Sequence, residues 1–367
     1  MNFTVNKDQI VEAVSNVQRA ISAKATMAVL EGILLTAHKD QLELFASDLE
    51  LSMKTTIPAV VTAPGEIVLS ARLFSDIVRK SPSNQINIAV DSQRIASIQS
   101  GFSQFSVAGM PPEEYPELPS LGDTATLSIQ AGILKSMIRQ TVFSVADTDS
   151  KPIHQGCLFH LQDQSLDVVA VDGYRLAKRT EPIPYAEKLE FVVPGKALQE
   201  ILKLLKQEDA EIQMVVGARQ ITFQIENYTV SSSLLEGDFI NYNATIPRTH
   251  SIEAVINVRE AIDCVERVSL MISDRLKSPL RSTFSETGIQ LLCTTSMGRA
   301  NDHIQAVVTG GEVEIGFNNR YLLDALKNTE CDEVRLQLNS ALSPMLVLPK
   351  DGESFLFLVL PVRLKTE

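Results

Sequence analysis

Three stretches of this chain spell the same helix. "SARLFSDIVRK" (70–80), "PGKALQEILKLLK" (194–206) and "NNRYLLDALKN" (318–328) each set apolar residues at helical spacing. Arg72, Lys196 and Arg320 stand 124 residues apart, and Arg79, Lys203 and Lys327 keep the same register. The apolar columns follow: Leu73, Ala197, Tyr321; Phe74, Leu198, Leu322; Ile77, Ile201, Ala325; Val78, Leu202, Leu326. A strand-like run precedes each helix ("GEIVLS", "LEFVVP", "VEIGFN") and another follows it ("QINIAV", "EIQMVV", "EVRLQL"). Earlier in each unit, "TVNKDQIVEAVSNVQ", "SIQAGILKSMIRQTV" and "VINVREAIDCVERV" read as a short strand running into a first helix. Strand pairs with alternating apolar positions lie between the two helices, as in "QLELFASDLEL" (41–51) and "QSLDVVAVDGYRL" (164–176). A period this long is a domain, not a solenoid turn. The expected class is α+β, in three tandem copies. Two stretches mark the joints, "MPPEEYPELPSLGDTAT" (110–126) and "NATIPRTHS" (243–251), so the expected domains are 1–118, 124–246 and 250–367.

Helix geometry gives the repeated helix a direction. With position 72 at zero and ~100° per residue, positions 73, 74, 77 and 78 form one apolar face, and 79 falls beside 72. Both basic columns therefore point away from the buried side. Asp76, Glu200 and Asp324 stand next to them, and each is within reach of its i−4 or i+3 neighbour. The whole chain carries a net charge of −12, so positive charge is segregated onto these segments. An acidic balance argues against indiscriminate coating of polyanions. A sparse positive face suits weak phosphate contact without base reading.

Other classes are disfavoured. "MNFTVNKDQI" has no cationic region followed by an apolar one, and no run approaches the ~18 apolar residues of a membrane span. A cytoplasmic protein with no membrane partner is expected. Cys157, Cys264, Cys293 and Cys331 are scattered without a C-x-x-C pair, which points to a reducing compartment and to neither disulfides nor zinc. The five histidines form no H-E-x-x-H. No metal and no cofactor are expected. Asp48, Glu50 and Asp172 could be read as carboxylates for metal catalysis. The third unit has Thr295 at the matching place, so they read as turn formers, and no catalytic residue is expected.

The specific words of the chain are "MNFTV", "ASDLEL" (46–51), "GEIVLSAR" (65–72), "AVDGYRLA" (170–177), "EIGFNNRYLLDAL" (314–326) and "VLPVRL" (359–364). With them the chain resembles the bacterial sliding clamps, the beta subunits of DNA polymerase III, over its full length. The resemblance implies DNA-clamp domains, each of two helices packed on antiparallel sheets. It implies a head-to-tail homodimer closed into a ring with pseudo-six-fold symmetry, helices inside and sheets outside. It also implies a non-catalytic processivity factor that encircles duplex DNA without sequence preference. Twelve helices of about 10 Å diameter leave a hole of roughly 28 Å, whereas six leave about 9 Å, so one chain alone passes no duplex.

By match to that family, Lys24, Arg72, Lys196 and the loop "DTDSKPIH" (147–154), with Thr148, Lys151, Pro152 and Ile153, are expected near DNA. Arg79, Lys203, Arg320 and Lys327 extend the same face. The resemblance further implies an apolar cleft where the polymerase catalytic subunit, the clamp loader and other polymerases and repair proteins insert a short peptide. The matching positions are His154, Val171, Gly173, Tyr174, Arg175, Leu176, Ile240, Leu342, Pro344, Leu358, Leu360, Pro361, Val362 and Arg363. Phe105 and Val107 match one side of the dimer interface, and Leu270, Met271 and Ile272 the other. "QLELF" (41–45) looks like a client peptide, but its alternation makes it a structural strand.

Overall fold

The computed structural model describes residues 1–22, 27–116, 122, 124–148, 151–272 and 278–364. Six α-helices lie among them: α1 (Lys7–Val17), α2 (Ala71–Lys80), α3 (Ala131–Val142), α4 (Gly195–Leu204), α5 (Val258–Ser269) and α6 (Asn319–Lys327). Three begin on asparagine caps. The Asn6 side chain accepts from the amides of Asp8 and Gln9 at 2.9 and 3.3 Å, Asn257 from Glu260 at 3.0 Å, and Asn318 from Arg320 at 3.0 Å. Each cap satisfies amides that the first turn leaves without an intrahelical partner, worth ~1 kcal/mol. At the far end of α2, the Ser81 hydroxyl donates back to the Ile77 carbonyl at 2.9 Å. α2 buries Ala71, Phe74, Ser75, Ile77 and Val78. Leu73, expected on that face, is 46% exposed. It lies at the edge of the stripe, about 100° from Arg72, and the sheet does not reach that far around.

The chain folds into two compact units. One comprises Met1–Gly132 with Lys203–Leu234, the other Ile133–Leu202 with Leu235–Glu367. The first holds a five-stranded sheet, in order Val60–Ala63, Asn2–Asn6, Gln85–Val90, Ile95–Ser100, Ser103–Ala108. It also holds an eight-stranded sheet: Ala125–Gln130, Glu211–Val216, Gln220–Ile225, Tyr228–Ser233, Leu51–Pro58, Gln41–Ser47, Gly32–His38, Gly65–Ser70. The second holds a nine-stranded sheet: Leu189–Pro194, Gly156–Gln162, Ser165–Val171, Arg175–Pro182, Phe355–Val359, Met345–Pro349, Glu333–Leu338, Ile252–Asn257, Ala306–Thr309. Its four-stranded sheet runs Gly298–Ile304, Gly288–Thr295, Leu280–Ser285, Val313–Phe317. Every pairing between these strands is antiparallel.

Two pairings join one sequence repeat to the next. Tyr228–Ser233 runs beside Leu51–Pro58 with Val230 opposite Met53. Phe355–Val359 runs beside Arg175–Pro182 with Phe357 opposite Ala177. The registers are equivalent: Met53 and Ala177 face Ala46 and Ala170 on their other side, while Val230 and Phe357 face Phe223 and Val347. A continuous ladder across each joint leaves no polar backbone edge there. "QLELF" falls in the strand Gln41–Ser47, with Leu42 and Leu44 fully buried. That alternation is what a half-buried strand requires.

Candidate nucleic-acid face and peptide cleft

Arg72, Arg79, Lys196, Lys203, Arg320 and Lys327 are all exposed, each on the helix face opposite the buried residues. The neighbouring carboxylates do not all behave as local spacing suggests. Asp324 reaches out of its helix to Arg175, 2.5 Å away. Lys327 pairs with Glu266 of α5 at 2.6 Å and so holds that carboxyl below its ordinary range. Arg79 donates to the Ser75 hydroxyl at 2.9 Å. On the first helices, cations meet acids: Arg139 with Glu330 at 2.9 Å and Arg267 with Asp302 at 2.6 Å. Exposed pairs of this kind add little stability and chiefly shape the field.

Lys24 lies outside the described residues. Thr148, Lys151 and Pro152 are exposed, so their side chains are accessible. Ile153 is not: it is 5% exposed and belongs to an apolar cluster with Leu158, Val169, Val171, Leu176, Val192, Tyr242, Leu346, Leu348 and Leu358. The expectation that its side chain meets DNA is corrected by that burial. Pro152–Gln155 forms a one-turn 3-10 helix that turns Ile153 inward and leaves Pro152 outside.

The same cluster is the floor of the expected cleft. Val171, Leu176 and Leu358 are buried within it, and Ile240 and Leu360 pack on its margin. His154 is buried and meets Phe239 edge-on, ring centroids 6.0 Å apart. Tyr174, Leu342, Val362 and Arg363 are exposed at the rim, with Pro344 and Pro361 half-buried between. The chain closes this region by main-chain bonds, Leu360 N–H to Tyr174 O at 2.9 Å and Val362 N–H to Gly316 O at 2.8 Å.

Arg175 ties the rim to α6. Its guanidinium bonds Asp172 at 2.8 Å and Asp324 at 2.5 Å, and lies 4.6 Å over the Tyr321 ring. Tyr174 stacks on Tyr321 at 6.1 Å. A cavity of about 430 Å³ opens beside them, lined among others by Arg175, Phe317, Asn318, Tyr321, Asp324 and Val362. Apolar floor, aromatic rim and adjoining cavity fit an extended peptide with apolar anchors. Tyr321, Asp324 and Phe239 pack against these residues and were missed in the sequence, where α6 reads only as a basic-faced helix.

The loop carboxylates have a local task. Asp48 accepts from the amides of Glu50 and Leu51 at 3.1 and 2.8 Å, and Asp172 from Tyr174 and Arg175 at 2.9 and 3.0 Å. Thr295 does the same with Met297 at 3.2 Å. These are side-chain turns, which accounts for a threonine serving as well as an acid. Gly173 takes φ +88° in its turn, whereas Leu49 adopts φ 77° at the matching place and bears the steric cost. Among the described residues no group of three or more His, Cys, Asp or Glu could hold a metal, and no helix is long and apolar enough to cross a membrane. Cys157, Cys264, Cys293 and Cys331 are free thiols, and burial pushes Cys157 up to about 12.

Phe105 and Val107 lie on Ser103–Ala108, the last strand of the five-stranded sheet. Phe105 is 37% exposed and Val107 is buried. Leu270, at the end of α5, is 78% exposed. Met271 and Ile272 are half-buried against the core, and the Met271 sulfur lies against Gly298, 3.7 Å from where a Cβ would stand. Gly298 begins Gly298–Ile304, the outermost strand of the four-stranded sheet.

Three sequence families match the chain in succession. They are the N-terminal domain of the DNA polymerase III beta subunit at residues 1–119, the central domain at 128–241 and the C-terminal domain at 243–363. The beta sliding clamp of Bacillus subtilis is 32% identical over 99% of this chain and 100% of its own length. That of Staphylococcus epidermidis is 30% identical over 99% of both. The crystal structure of the B. subtilis DNA polymerase sliding clamp covers both chains completely with a TM-score of 0.96 at 31% identity. The DNA polymerase III beta subunit of Pseudomonas aeruginosa gives 0.93 at 28% identity, over 99% of this chain and 100% of its own. The chain therefore belongs to the bacterial beta sliding clamps, the beta subunits of DNA polymerase III.

Proposed function

We propose that this protein is a non-catalytic processivity factor, a head-to-tail homodimer that closes around duplex DNA and tethers the replicative polymerase in the cytoplasm. The observation that carries the proposal is a joint made twice and left over once. Val230 and Phe357 each meet a strand of the preceding repeat. Phe105 is their counterpart, since it faces Ile98 as they face Phe223 and Val347. Ala300, which faces Cys293, is the counterpart of Met53 and Ala177. Phe105 of one protomer would thus lie opposite Ala300 of a second copy. A contact across the internal joint supports the same reading. Phe143, just beyond α3, meets Phe357 edge-on at 5.1 Å. Leu270, just beyond α5, is the counterpart of Phe143 and would cover Phe105.

An interface using two different patches closes only if the rotation allows, and three repeats doubled give six equal steps. On this reading the domains end at the joints, near 118–124 and 246–250, and twelve helices surround a hole of roughly 28 Å. Arg72, Arg79, Lys196, Lys203, Arg320 and Lys327, with Lys24, Thr148, Lys151 and Pro152, would meet phosphates there weakly enough to slide. The cleft from His154 to Arg363 would take the peptide motifs of the polymerase catalytic subunit, the clamp loader and other polymerases and repair proteins. Charge reversal at Arg72, Lys196 and Arg320 together should shorten the products of a polymerase extending a primed circle. Unchanged product length would favour a scaffold indifferent to DNA.

A further inference from the structure

The first two repeats build an apolar corner in the same register. In the second, Leu158 sits between Val169 and Val192 on neighbouring strands. In the first, Leu34 sits between Phe45 and Val68 in the same register. A one-turn helix leads into each: Pro152–Gln155 supplies Ile153, and Ala28–Glu31 supplies Val29. In both repeats the chain then returns to the strand that precedes the second helix. Leu235 N–H donates to Val192 O at 2.9 Å, and Met110 N–H to Val68 O at 2.8 Å.

Five residues further on, the two corners part. Ile240 stops half-buried, and it is Tyr242, two residues on, that enters the second corner's cluster, at 4% exposure, with its hydroxyl on Asp167 and His160. Tyr115 goes in, to 7% exposure, and joins the cluster of Val29, Leu30, Val68, Leu34, Phe45 and Met110. Its hydroxyl accepts from Ser47 N–H at 3.0 Å and donates to Gly32 O at 3.3 Å. Its ring meets Phe45 edge-on at 5.5 Å. Ser47 is the counterpart of Val171, a residue of the cleft.

We infer that the first repeat contains a second pocket, built like the peptide cleft, whose resident ligand is the chain's own Tyr115. The chemistry it takes is a phenol presented at the end of a 3-10 turn, Pro112–Glu114: an apolar ring for the Phe45, Leu34 and Val68 wall, and a hydroxyl for one amide and one carbonyl. Pro111, Pro112 and Pro116 stiffen that segment, so little freedom is lost when it docks. An intramolecular anchor always outcompetes a dilute peptide of similar fit. The likeness to the peptide cleft rests on the cleft assignment under Proposed function; the existence of the pocket does not.

The test uses full-length Tyr115→Ala and p-cresol, the free equivalent of the missing side chain. The pocket predicts a saturable rise of several degrees in the variant's Tm, and no shift for the wild type or for Tyr115→Phe, whose ring still fills the site. A folded Tyr115→Ala that p-cresol leaves unmoved, or an equal shift in the wild type, overturns the inference. Should the variant not fold alone, refolding with and without p-cresol decides. Recovery of the native circular dichroism only with p-cresol supports the pocket, and no recovery overturns it. Client peptides are not part of this readout. Their failure to bind at the cleft would refute that assignment and leave the p-cresol result standing.

Discussion

Leu270→Ala isolates the proposed ring interface. The side chain is 78% exposed in one chain, so its loss should hardly change the fold of a protomer. Its internal counterpart shows what it would do in a dimer: Phe143 covers Phe357 with ring centroids 5.1 Å apart. Burying a leucine side chain is worth about 1.5–3 kcal/mol. A head-to-tail dimer contains this contact twice, and both must break before protomers separate. The dimer should therefore weaken by about 3–6 kcal/mol, or roughly a hundredfold to ten-thousandfold in Kd. Sedimentation equilibrium across a dilution series measures this directly. Phe143→Ala is the internal control, and should cost about 1–3 kcal/mol of folding stability, because this half-buried ring packs on Phe357 inside one chain. A Kd for Leu270→Ala within threefold of the wild type would refute the counterpart argument.

Three further outcomes follow from the geometry. Deleting residues 360–367 removes Leu360, Pro361 and Val362 from the cleft, and should abolish client-peptide binding in fluorescence anisotropy while the dimer survives; retained affinity contradicts the placement. Asp172→Ala strands the amides of Tyr174 and Arg175 and one face of the Arg175 guanidinium. It should cost about 2–3 kcal/mol in urea unfolding, and a cost under about 0.5 kcal/mol would deny the turn its role. Burial raises the Tyr115 phenol from 10.0 to about 12, so the folded state keeps its proton longer than the unfolded chain. Its contribution, about 2–3 kcal/mol, is complete below pH 10 and fades as pH climbs toward 12. Tyr115→Phe should remove that part of the alkaline slope, and an unchanged slope contradicts the assignment.

The sequence displayed whatever depends on local period. The repeated helices, their exposed basic columns and the strand identity of "QLELF" follow from spacing alone, because each is a choice of face along one element. Distant partners were not legible. Asp324 leaves its helix neighbours for Arg175, 149 positions away in sequence. Ile153 is drawn inward by a 3-10 turn that no periodicity announces. Tyr115 sits in a Pro- and acid-rich joint that reads as surface linker, yet it fills a corner made by strands from much earlier in the chain. One clue was available: that linker holds a tyrosine among prolines, and a lone aromatic in a polar joint usually has somewhere to be buried. Leu73 fails in the other direction, since the apolar stripe is wider than the surface that covers it.

Retention on a closed circle tests topological linkage most directly. The protein, loaded onto a nicked circular plasmid and freed of loader, should remain bound through gel filtration at a salt concentration that abolishes ordinary phosphate contacts. Linearising the same plasmid with a restriction enzyme should release it, because the ring can then slide off an end. Equal loss from circle and line, or equal retention on both, would mean that affinity and not encirclement holds this protein to DNA.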